Sequence, residues 1–166
     1  MRRGRLEAFS DGVIAIIITI MALELKIPEG HEFSDLRPMI PVFASYVMSF
    51  LYVAIYWNNH HHLMHTVEQV NGRILWANMA LLFALSLTPA TTAWMGESHF
   101  AKDPTMLYGA ALLGAAIGYQ ILTWAITSTH GPKSKLAHAI GEDWKGKTSL
   151  WLYLAGIAAA YSLSLS

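Results

Sequence analysis

The stretch Arg5-Leu6-Glu7-Ala8-Phe9-Ser10-Asp11-Gly12-Val13-Ile14-Ala15-Ile16-Ile17-Ile18-Thr19-Ile20-Met21-Ala22-Leu23 decides how this chain is built. Its second half is almost unbroken aliphatic sequence, and its first half carries Ser10 and Asp11. If either residue capped a helix beginning at Gly12, only Val13 to Ile27 would remain to cross a bilayer. That length is about 22 Å at 1.5 Å per residue, short of a hydrocarbon core about 30 Å thick. The helix is therefore expected to run from about Leu6 to Ile27 and to contain the polar pair. An aspartate within a span costs at least ~2.5 kcal/mol on insertion scales, so it has to be paired, hydrated or functional.

Helical geometry, at ~100° per residue, assigns the faces. Ile16, Ile20, Leu23 and Ile27 fall on one narrow stripe, with Thr19 at its edge. Ser10 and Asp11 point away from that stripe, toward neighbouring helices. The polar groups available there are His60, His61, His62, His65, Trp76 and Asn78. The stripe itself has two readings. It is plain lipid or core contact, or it lines a pore that closes by dewetting at an apolar constriction.

Working outward, 54% of the 166 residues are hydrophobic and 13% are charged, against about a quarter charged in soluble domains. The charges cluster between long apolar runs, as in a chain whose solvent is mostly lipid. A formal net charge of zero leaves no global basic field for nucleic acid. The absence of cysteine removes disulfides, thiolate metal sites and cysteine nucleophiles. No nucleophile elbow, phosphate-binding loop or dinucleotide fingerprint is present, so the chain does not read as an enzyme. The basic start Met1-Arg2-Arg3-Gly4-Arg5 resembles a signal peptide, but Glu24-Leu25-Lys26-Ile27-Pro28 follows the apolar core where small residues should stand.

Four more apolar segments follow. The second begins near Pro38-Met39-Ile40-Pro41 and runs to about Trp57, with a polar helical extension through His65. The third covers Ile74 to about Trp94, with Pro89 near its end; the fourth covers Thr105 to about Ser128; the fifth runs from Ser149 to Ser166. Backbone groups in lipid must be satisfied within each segment, so the fold class is all-α, a polytopic transmembrane bundle in one domain over 1–166. With the N-terminus inside, the inner side holds Arg2, Arg3, Arg5, Arg73, Lys133, Lys135, Lys145 and Lys147, and the outer side only Lys26, Arg37 and Lys102. That bias favours a cytoplasmic N-terminus. Gly109, Gly114 and Gly118 in the fourth segment and Gly156 in the fifth let helices approach closely, chiefly for ordinary packing.

Arg5-x-x-x-Phe9-Ser10-Asp11-Gly12-Val13-x-Ala15-Ile16, then Thr19 and Leu23-Glu24-Leu25, resembles the signature of the endolysosomal potassium channels and their prokaryotic relatives. Trp57-x-x-His60-His61, Leu75-Trp76-Ala77-Asn78 and Leu87-Thr88-Pro89 extend the resemblance over essentially the whole chain. It implies a homotetrameric cation channel in the inner membrane of a prokaryote, with K+ as permeant ion and no cofactor. The family pattern has six helices per subunit; five are visible here, and the sixth is expected to be absent from this sequence, a departure from that pattern. No Thr-Val-Gly-Tyr-Gly filter is present. The resemblance makes the first helix the pore lining, with Ile16, Ile20 and Leu23 as constrictions and Thr19 as the nearest hydroxyl to a passing ion. Arg5, Phe9, Ser10 and Asp11, with His60, His61, Trp76 and Asn78, would hold that helix in place.

The histidines admit other chemistry. His61 and His65 are i, i+4 and could chelate a metal from one helical face, but zinc wants four ligands and Glu68 is the only acidic residue nearby in sequence. Packing and solvated histidines are the expected reading, with no metal. Pro89 with Thr91 and Thr92 could mark a kinked transporter site, though prolines are common near helix ends. The alternative function is a small proton-coupled transporter using Asp11 and the histidines.

Overall fold

The computed structural model describes residues 2–130. The fifth apolar segment, 149–166, lies outside the described residues, as do Gly156 and the basic residues Lys133 to Lys147. Five α-helices occur among the described residues: α1 Arg3–Leu23, α2 Ile40–His65, α3 Gly72–Ser86, α4 Thr88–Glu97 and α5 Lys102–His130. A 3-10 segment, Phe33–Met39, leads into α2. Among the described residues, four helical units are long and apolar enough to cross a membrane: Arg3–Leu23, Phe33–His65, Gly72–Glu97 and Lys102–Thr129.

The 21 residues of α1 extend about 31 Å, which matches the hydrocarbon core. Ser10 and Asp11 are internal to it. The helix stops at Leu23, one turn before the expected boundary, and Ile27 lies in the following loop, 90% exposed. Pro28 is the reason: it disfavours helical backbone in the residue before it. Ile27 therefore drops out of the stripe. In α2, Pro41 occupies the first turn, where its missing N–H has no helical partner to lose.

The third segment departs from expectation. It divides at Leu87 into α3 and α4, with Pro89 in the first turn of α4 rather than near the end of one helix. Pro89 has no N–H to offer the Leu85 carbonyl. The Leu85 carbonyl instead accepts a backbone N–H at the cap of α3, and hydroxyls add bonds to neighbouring carbonyls of the interrupted span. Thr91 Oγ1 lies 3.0 Å from the Leu87 carbonyl and 3.1 Å from that of Thr88, and Ser86 Oγ donates to the Phe83 carbonyl at 2.7 Å.

Packing is tightest where glycines remove side chains. A Cβ on Gly118 of α5 would sit 2.9 Å from Leu81 Cα of α3, whereas one on Gly114 would meet Ala84 at an ordinary 3.7 Å. This glycine pair thus serves close packing of α3 against α5 within the chain. On the other side Gly96 of α4 brings that helix against α2, with Val42 Cα 2.8 Å from a Cβ placed there. Buried hydroxyls tie the same helices together: Ser49 Oγ is 2.7 Å from Thr92 Oγ1 and 3.1 Å from the Tyr108 hydroxyl. Helix α1 rests on α2, α3 and α4 through Leu6, Ile14, Ile17 and Met21, all buried. In lipid this contact is stabilised by dispersion and polar bonds, because leaving the bilayer gains an apolar side chain nothing.

Candidate functional site

Two faces of α1 have opposite characters. The inward face carries a polar chain that begins at Ser10, which is fully buried. A carbonyl only accepts, so Ser10 Oγ donates its proton to the Leu6 carbonyl at 2.9 Å. Its oxygen then accepts from Asn78 Nδ2 of α3 at 2.9 Å. Asn78 Oδ1 must in turn accept, at 2.7 Å, so His60 Nε2 of α2 carries the proton. This order leaves His60 Nδ1 as a buried lone pair without a partner among the described residues. One short chain of bonds therefore joins α1, α3 and α2.

A second set of contacts forms a ladder along the α1–α2 seam. Trp57 Nε1 donates to Asp11 Oδ1 at 3.0 Å, His61 Nδ1 lies 3.2 Å from Glu7 Oε1, and Arg3 Nη1 donates to the His65 carbonyl at 3.3 Å. Each rung steps four residues down α1 and four up α2, which is the register of two antiparallel helices with one face each in contact. Asp11 is thus paired, with Trp57 rather than with a histidine. Trp57 stands within the stretch that carries the resemblance, but spacing alone gives it no partner, and nothing in the local sequence singles out Glu7. The ladder period was the available signal: Glu7 and Asp11 are one turn apart, as are Trp57 and His61.

Trp76 does not join either set, contrary to expectation. It is 74% exposed, because two residues apart on a helix means ~200° of rotation. With Asn78 facing α1, Trp76 has to face outward. Arg5 and Phe9 are likewise exposed in the single chain, Phe9 at 51%.

The outward face of α1 has no partner among the described residues. Ile16 is 60% exposed, Ile20 41% and Leu23 78%, and Gly12 and Thr19 are exposed with them. Thr19 Oγ1 donates its proton to the Ala15 carbonyl at 2.9 Å. Its remaining lone pairs point outward, an arrangement that can offer oxygen to a cation but cannot donate. Arg5 lies on the same face at its N-terminal end. Apart from that face, a cavity of about 520 Å³ between the loop after α1, the start of α2 and the end of α4 is lined by Glu24, Glu29, Asp35 and Glu97 together with Lys26. Lys26 is ion-paired with Glu97, and that carboxylate raises its pKa above the usual lysine value. Sequence spacing does not reveal this acidic pocket, since its residues come from three separate segments.

A family model described as "Endosomal/lysosomal potassium channel TMEM175" matches residues 5–89. A protein described as a potassium channel from Chryseobacterium sp. is 55% identical over 97% of this chain and 84% of its own length. A Streptomyces collinus protein, also described as a potassium channel, is 35% identical over 76% of this chain and 65% of its own. The crystal structure of a lysosomal potassium-selective channel TMEM175 homolog from Chamaesiphon minutus superposes with a TM-score of 0.81, at 29% identity, over 96% of this chain and 86% of that one. Vertebrate relatives, of which this chain spans a minor part, are described as endosomal/lysosomal proton channels. The all-helical fold, the buried motif and these likenesses define an integral membrane protein of a channel-forming class, not an enzyme. The chain belongs to the TMEM175 family.

Proposed function

We propose that this chain is a subunit of a homotetrameric potassium channel whose ion path runs along the outward face of α1. The observation that carries the reading is the contrast between the two faces of that helix. One is fixed by the Ser10–Asn78–His60 chain and the Asp11–Trp57 contact, which set its rotation. The other leaves Ile16, Thr19, Ile20 and Leu23 open. Four copies around an axis would bring these aliphatic side chains together in rings about 5 to 10 Å apart along the path. Such rings exclude water when close and so close the path, while the Thr19 oxygens replace part of an ion's hydration. The N-terminus faces the cytoplasm, and the membrane is the inner membrane of a prokaryote, on the lysine and arginine bias and the bacterial relatives.

The test is ion flux through purified protein in liposomes. Ile16→Asn and Leu23→Asn should hydrate the constriction, raising conductance and eroding preference for K+ over Na+. Unchanged current and preference in both variants would remove these residues from the path.

The description of vertebrate relatives as proton channels favours a second reading, conduction of protons through Asp11 and the histidines. The pairing of Asp11 argues against it, since its partner is the Trp57 indole, a donor that cannot accept a proton and pass it on to a histidine. A reversal potential that follows the pH gradient and ignores the K+ gradient would decide for protons.

A further inference from the structure

We propose that Glu7, His61 and His65 form a binding site for one divalent transition-metal ion at the N-terminal end of α1. Suitable ligand atoms of all three lie within 4.8 Å of one another. The site goes beyond the ion path and lies on a different face of α1, so it stands or falls independently of it.

The atoms already have the required order. Glu7 carboxylate oxygens only accept, so the neutral His61 ring carries its proton on Nδ1, 3.2 Å from Glu7 Oε1. His61 Nε2 is then a lone pair, and it lies 3.1 Å from His65 Nε2. Two imidazole nitrogens on one tetrahedral zinc, with bonds of about 2.0–2.1 Å, are about 3.3 Å apart. The pair is thus within a few tenths of an ångström of chelating geometry. An ion there takes the place of the proton shared between the two rings; the neutral His65 ring keeps that proton by carrying it on Nδ1, which frees both Nε2 lone pairs for the metal. Glu7 keeps its bond to His61 Nδ1, the carboxylate–histidine–metal arrangement that fixes ring orientation and raises ligand basicity. Trp57, stacked on His61 with ring centroids 6.0 Å apart, restrains the ring further.

His61 and Glu7 are half-buried while His65 is exposed, which leaves an entry path and room for water ligands. Imidazole nitrogen with carboxylate support suits Zn2+, Ni2+ or Cu2+ and disfavours Mg2+ and Ca2+. Among the described residues no further protein ligand completes the sphere, so the site is expected to exchange its ion readily rather than hold it as a permanent structural centre. Because Glu7 belongs to α1 and both ligands to α2, loading the site strengthens the seam that positions α1.

The experiment is titration of Zn2+ into detergent-purified protein carrying no polyhistidine tag, followed by calorimetry. About one ion per chain should bind. His61→Ala and His65→Ala should each weaken binding at least tenfold, and Glu7→Gln by about 10–100-fold. His62→Ala, which alters an exposed neighbour outside the cluster, should leave it unchanged. Binding that survives His65→Ala, or that falls equally with His62→Ala, would overturn the site, as would no binding at all. His65 is exposed, so its replacement opens no cavity; should His61→Ala fail to fold, His65→Ala and Glu7→Gln still decide. X-ray absorption at the zinc edge provides a second readout, with two imidazoles in the first sphere expected and an all-oxygen sphere contradictory.

Discussion

At the scale of single residues, the account rests on Asn78, whose amide uses both its donor and its acceptor to bridge Ser10 and His60. Asn78→Ala would strand both partners in a dry interior. The cost should be about 2 kcal/mol, with individual polar bonds in membranes averaging nearer 0.6. Ser10→Ala strands only one amide hydrogen and should cost about 1 kcal/mol. Thermal unfolding in detergent should therefore rank wild type above Ser10→Ala and Ser10→Ala above Asn78→Ala; equal stability of all three would contradict the bridge. That Ser10 turns away from Ile16 was legible in the sequence, since residue spacing fixes angles around one helix. Which group on another helix meets it was not, because that depends on how the second helix is rotated. Trp76 shows the limit: its neighbour Asn78 faces inward, and one helix cannot turn both toward α1.

Among elements, the helical type of the four described spans was readable from apolar runs and prolines, but the break at Leu87, which makes two helices of one, was not. A proline near the expected end of a helix and one in the first turn of a new helix look alike in sequence. Local hydroxyl bonding separates the two, and that is a matter of geometry. The glycines of α5 give a sharper contrast. A methyl at Gly118 would strike Leu81 backbone, which cannot yield without moving α3, whereas one at Gly114 has ordinary room. Gly118→Ala should therefore destabilise the protein by about 1–3 kcal/mol, and Gly114→Ala should be nearly neutral. Comparison of the two melting curves checks this, and equal effects would mean that α3 and α5 are not held at this distance. The spacing of these glycines announced a close helix contact without saying which helix was the partner.

For the molecule as a whole, the fold was legible because lipid leaves few solutions, and membership of the TMEM175 family agrees with the motif on which the resemblance rested. The assembly is a property of several chains, and a single chain shows it only as a face left unpartnered among the described residues. If the tetramer forms, native mass spectrometry of the detergent-solubilised protein should give four times the chain mass of 18.4 kDa; a monomer or dimer as the only species would contradict it. The chain contains no cysteine, so single cysteines can be introduced without background. The most direct measurement is therefore current through reconstituted channels carrying Ile16→Cys, Thr19→Cys or Leu23→Cys, recorded before and after a charged, water-soluble thiol reagent. The same treatment of Ile55→Cys and Phe83→Cys, exposed positions on α2 and α3, serves as control. A path along α1 predicts that the reagent alters current at the α1 positions and leaves the controls untouched; indifference at all three α1 positions in conducting channels would contradict it.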